Sequence, residues 1–143
     1  MSNWTHVAAI VRLNYITFDD SYELDFEEIF GKECLFDSSW ETWEDAEKHR
    51  DKYLPMGSEG SLQMSVWVNP NKSHAARYTV SIFGDLRDHE SAEEIAEWFK
   101  QKCEDSSLSV REACIIAENE RADHKVIWVY QSPWLDEKPV MII

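Results

Sequence analysis

Asp85, Asp88, His89 and Glu90 lie close together in the chain. Carboxylates beside an imidazole can bind a divalent cation or relay a proton. The cluster falls where a strand is expected to hand over to a helix, and acids there also cap the helix and complement its dipole. It is therefore a candidate ligand site without an assigned catalyst. The five histidines, His6, His49, His74, His89 and His124, show neither HxH nor HExxH spacing, so no metal site is expected. Gly57-Ser58-Glu59-Gly60 lacks the Lys-Ser/Thr of a phosphate loop and carries an acid that repels phosphate; it reads as a connection. No GxSxG is present. Cys103 and Cys114 fit apolar core stripes, and Cys34 lies between aromatics and acids, so no catalytic residue and no cofactor is expected.

The strongest asymmetry is charge. Of 28 acids against 14 bases, net −14, twelve acids and the single base Lys32 fall between Asp19 and Glu47. Aromatic residues are interleaved with them. Such a stripe can dock on a basic surface, because clustered Lys and Arg respond to charge spacing and to π-faces. It can equally be a solvated helix face. The candidate partner-binding residues are Asp19, Asp20, Glu23, Asp25, Glu27 and Glu28, with Trp67 from a neighbouring strand.

Alternation at period two or 3.6 supplies the elements that position these groups. In Thr5 to Asn14, Val7, Ala9, Val11 and Leu13 alternate with His6, Ala8, Ile10 and Arg12. One face is wholly apolar and the other mostly so, which predicts an interior strand. Ser61 to Asp88 predicts a hairpin. Leu62, Met64, Val66 and Val68, then Ala76, Tyr78, Val80 and Ile82, alternate with other residues on either side of Asn69-Pro70-Asn71-Lys72-Ser73-His74. Ser109–Glu118 and Lys125–Tyr130 are two further strands. Residues 15–37 form a packed acidic and aromatic excursion, in which Asp25 to Phe30 reads as a short helix stopped by Gly31.

Capping-box spacing at Ser38–Glu41 and Ser91–Glu94 starts two longer helices. The second carries a stripe of Ala92, Ile95, Phe99 and Cys103, with Trp98 beside it. The resulting order, β-α-β-β-α-β-β, predicts an α+β fold: a ferredoxin-like β-α-β-β-α-β core with an added fifth strand. Right-handed crossovers give sheet order 5-4-1-3-2, antiparallel, with two helices on one face. Trp67, Phe83, Ile10 and Ala8 then share the other face, which is too apolar to stay bare.

The chain's 143 residues suit a single domain, 1–143, and seven Trp, six Phe and five Tyr provide a core without a staple. The tail, 132–143, holds two prolines and ends in four apolar residues; it either packs on its own domain or inserts into another subunit. Three cysteines without CxxC spacing suit a reducing cytoplasm. MSNWTHVAA has no secretory character, and no run is long and apolar enough to span a membrane. The acidity argues against direct nucleic-acid binding.

Ser2-Asn3-Trp4-Thr5-His6-Val7, Tyr53-Leu54-Pro55-Met56-Gly57-Ser58-Glu59-Gly60 and Val80-Ser81-Ile82-Phe83-Gly84-Asp85-Leu86-Arg87-Asp88 resemble small uncharacterised proteins encoded by bacteriophages and prophages. The resemblance implies a cytoplasmic accessory protein that acts on the machinery of an infected bacterium. The expected function is therefore a non-enzymatic acidic binding protein whose partner is a basic host protein, nucleic-acid-binding or defensive. The alternative is a small-molecule or nucleotide-binding protein, or a small enzyme, using the free sheet face or the Asp85–Glu90 cluster. Self-association through that face, giving a homodimer, is compatible with either.

Overall fold

A computed structural model of the chain describes residues 3–16, 25–33, 52–57, 60–70, 75–88, 91–104, 109–121 and 124–132. The alternating segments form five strands: β1 (Trp4–Ile16), β2 (Gln63–Pro70), β3 (Ala75–Arg87), β4 (Val110–Asn119) and β5 (His124–Gln131). They make one antiparallel sheet in the order β2-β3-β1-β4-β5. This is the expected order, with β1 central and β3 inserted between β1 and β2. The architecture is α+β. Most of the expected helix after Ser38, the cap at its start and most of the tail lie outside the described residues; where that helix is expected to end, Tyr53 instead bridges to Lys32 and Leu54 lies outside any helix.

Two helices are described, α1 (Phe26–Phe30) and α2 (Ala92–Glu104). Asp25 caps α1 by accepting from the Glu28 backbone N–H at 3.2 Å, and Gly31, at φ 124°, ends it. Gly31 has no room for a side chain, because a methyl group there would lie 2.6 Å from the Tyr53 carbonyl carbon. That close approach brings Lys32 beside residues 52–54, where its N–H donates to the Lys52 carbonyl and its carbonyl accepts from Leu54. Ser91 starts α2 by accepting from the Glu94 N–H at 3.2 Å, as the capping-box spacing predicts.

Both helices lie on one side of the sheet. Phe26 of α1 packs on Tyr78 of β3, with ring centroids 5.0 Å apart. The apolar stripe of α2, Ala92, Ile95, Phe99 and Cys103, is buried as expected, and Phe99 meets Trp128 of β5 edge-on at 5.9 Å. Val7, Val11, Leu13, Val80, Ile82, Ile115 and Ala117 complete the core from the sheet. The Asn119 amide donates to the Thr5 hydroxyl at 2.9 Å inside this layer, so these buried polar groups are satisfied.

Cys114 is a correction. The core stripe of β4 is Val110, Ala113, Ile115, Ala117 and Asn119, which leaves Cys114 on the opposite side and only half buried. Both faces of β4 are apolar in sequence, and pairing of Ile115 with Ala9 on the helix side decides between them. Burial pushes the Cys103 thiol up to about 12, so the other cysteine of this pair is inert packing. Among the described residues no helix is long and apolar enough to cross a membrane.

Candidate functional site: the open face of the sheet

Among the described residues nothing covers the side of the sheet away from the two helices, and strand register arranges it in rows running across the strands. The two middle rows are Phe83, Ala8, Ile116, Ile127 and Ser81, Ile10, Cys114, Val129, read from β3 to β5. They are apolar apart from Ser81. Ile127 is 59% exposed, Val129 63%, and Trp67 of edge strand β2 60%. Singly exposed apolar residues are ordinary, but a contiguous group across a sheet marks a surface for something else to cover. Ala8, Ile10, Trp67 and Phe83 occupy this face as expected; Ile116, Ile127 and Val129 extend it.

Charged rows border the stripe, and their charges are paired within the molecule. At one end Asp85, His6, Glu118 and Lys125 stand side by side. At the other, Trp67, Thr79, Arg12, Glu112 and Gln131 do so. The Arg12 guanidinium donates to Glu112 at 2.6 Å, and Lys125 lies 3.8 Å from Glu118. Between Arg12, Cys114 and Val129 is a shallow depression of about 210 Å³.

His6 is held on both ring nitrogens: Nδ1 lies 2.5 Å from Asp85 Oδ1 and Nε2 lies 2.6 Å from Glu120 Oε1. Only the imidazolium can donate both bonds. Its pKa is accordingly raised above 6.5, first by the bond to Asp85 and then by that to Glu120, against a smaller effect of burial. An imidazolium with both N–H groups engaged has no lone pair with which to take a proton. In this arrangement His6 is a clamp joining β1, β3 and the β4–β5 turn, rather than a general base. The carboxylates were legible as charges, but their convergence depends on residues 79 and 114 positions apart.

The sign of the pH effect follows from the raised pKa. The folded state binds the His6 proton more tightly than the unfolded state, so the clamp contributes fully below 6.5 and fades as pH rises through the raised value. His6→Gln is therefore expected to lower the urea midpoint most below pH 6 and progressively less toward pH 9. The half-exposed site keeps the effect small. Equal loss at every pH would show that the two bonds contribute nothing through the charge.

The described residues among those singled out from the sequence are dispersed. Asp85 turns onto the open face to meet His6, whereas Asp88, at φ 58°, sits in the turn after β3 beside Asn3. His89 and Glu90 lie outside the described residues, as do Asp19, Asp20 and Glu23. Asp25, Glu27 and Glu28 are exposed at α1 on the helix side, while Trp67 projects from the other side of the sheet. Glu33 lies at the β2 edge, accepting from Gln63 at 3.3 Å. Among the described residues no group of three His, Cys, Asp or Glu side chains is placed to hold a metal ion. No protein-family model, no curated protein and no solved structure matches the chain.

Proposed function

We propose that this is a non-enzymatic, acidic binding protein that docks on a basic protein through the acidic stretch Asp19 to Glu47, of which Asp25, Glu27 and Glu28 are exposed on the helix side. The observation that carries the reading is the segregation of charge. On the open face, Arg12, Arg77, Lys125 and protonated His6 balance Asp85, Glu112, Glu118 and Glu120. Among the described residues the remaining acidic excess therefore lies off this face. Exposed Glu27 and Glu28 of α1 and Glu93, Glu94, Glu97 and Glu104 of α2 belong to that remainder. A surface of one sign steers and orients a partner of the other.

The phrase-level resemblance supports a setting: a phage or prophage accessory protein in the bacterial cytoplasm, acting on a basic nucleic-acid-binding or defence protein. The split order of β1, β3 and β2 in the sheet supports reading the core as ferredoxin-like.

Capture from bacterial lysate tests the docking. The wild-type protein is expected to retain a basic protein at low salt and release it toward 1 M, where the screening length falls to about 3 Å. Reversal of Asp19, Asp20, Glu27 and Glu28 to Lys is expected to abolish the capture. A captured set that survives both salt and reversal contradicts the proposal.

The depression beside Arg12 favours a second reading, a small-ligand or nucleotide site on the open face, with or without catalysis. Its volume of about 210 Å³ is below the roughly 300–1,000 Å³ of ordinary ligand pockets. A thermal-shift screen against nucleotides, amino acids and divalent metals separates the readings. A bound ligand at a hundredfold excess over Kd stabilises the fold by about 2.7 kcal/mol.

A further inference from the structure

We infer that the open face of the sheet is a self-association surface that joins two copies of this chain in a two-fold dimer. Three observations identify the occupant as a second copy. The first is charge: the face is balanced on a chain of net −14. A basic partner gains nothing by choosing it over the acidic side, whereas two like-charged molecules approach with least repulsion through their neutral faces. The second is that the charges of its two bordering rows are already matched in cis. Arg12 is bonded to Glu112, Lys125 lies by Glu118, and His6 lies between Asp85 and Glu120. Covering them leaves none of these charges buried without a counter-charge, the costly outcome at an interface.

The third is area. With strands about 4.8 Å apart and about 3.4 Å per residue, five strands of eight or more residues give a plan area of about 650 Å² before side-chain relief. Specific pairs bury about 800 Å² per partner. The apolar rows supply the dry centre and the paired charges the rim, as in interfaces generally. A two-fold axis lying in the interface sets the same patch against itself, so no complementary surface elsewhere on the molecule is needed. Such a dimer keeps both helices outward. The inference does not rest on the docking proposal, since lysate capture and self-association are read by different measurements on different faces.

Sedimentation velocity of the purified full chain, from about 1 to 100 μM, tests it. The wild-type protein is expected to shift from one chain of 16.8 kDa to twice that mass as concentration rises. Ile127→Glu, and independently Val129→Lys, is expected to raise the dimer dissociation constant at least about tenfold while leaving the circular-dichroism spectrum unchanged. Two variants guard against one failing to fold. Glu97→Lys on α2 is expected to dimerise like the wild type. A wild-type protein that stays monomeric throughout overturns the inference, as does a dimer that survives both folded face variants or is broken by Glu97→Lys. Dimerisation only after removal of residues 133–143 also overturns it, because the chain's own tail is then the occupant.

Discussion

Replacing Phe99 by alanine is expected to destabilise the protein by about 3–5 kcal/mol, the usual cost of deleting a buried ring. Phe99 is fully buried on α2, stacked in sequence between Ile95 and Cys103 of the same stripe and packed edge-on against Trp128 of β5. The helix rests on β4 and β5, so one ring fastens it to one half of the sheet. Truncation loses the apolar burial, the edge-to-face contact and the dispersion contacts of the space left behind. Domains of this kind have about 5–15 kcal/mol of stability in all. With a urea m-value near 2 kcal/mol/M, the midpoint falls by about 2 M.

Trp67→Ala is the control. That ring is larger but 60% exposed on an edge strand, so its removal costs the monomer little. Comparable losses for the two substitutions would mean that the sheet has no uncovered side and that the layer arrangement is wrong.

How much of this was legible depended on whether one residue's pattern or two distant residues' pairing carried the information. Period-two alternation located β1, the β2–β3 hairpin, β4 and β5, because a strand with one buried face must alternate whatever its neighbours are. The Ala92-Ile95-Phe99-Cys103 stripe located α2 for the corresponding helical reason. Short connections and crossover handedness then sufficed for the sheet order. The uncovered face was legible where one strand alone revealed it, at Ala8 and Ile10, and where the hairpin register did so, at Trp67 and Phe83.

Where two strands had to be aligned first, the sequence was silent. Ile116 and Ile127 become neighbours only once β4 and β5 are in register. Cys114 reads as core from sequence alone because Ala113, Ile115 and Ala117 on one side, and Cys114 and Ile116 on the other, are equally apolar runs. The His6 clamp was missed for the same reason: Asp85 and Glu120 are charges like any others until pairing places them on either side of the ring. Of the Asp85–Glu90 cluster, Asp85 and Asp88 are the described members. Neighbours in sequence within a strand and turn point in different directions, so Asp85 and Asp88 find different partners.

Thiol chemistry reports directly on whether the uncovered face meets a second copy. Cys114 sits in the middle of that face between Ile10 and Val129, and Cys103 is sealed under α2 with its thiol pushed up to about 12. In a Cys34→Ala background, alkylation by iodoacetamide at pH 8 therefore reads the two sides of the sheet separately. Cys103 is expected to remain unmodified at all protein concentrations until urea unfolds the chain.

For Cys114 the largest change in rate is expected. A dimer with a micromolar dissociation constant leaves it reactive at about 0.1 μM and covered at about 100 μM. Mass action alone then slows labelling by roughly tenfold or more, because only the dissociated fraction reacts. Ile127→Glu should restore the fast rate at high concentration. A Cys114 rate that falls with concentration in the wild type and not in the variant is the predicted result; a rate independent of concentration in both contradicts the account.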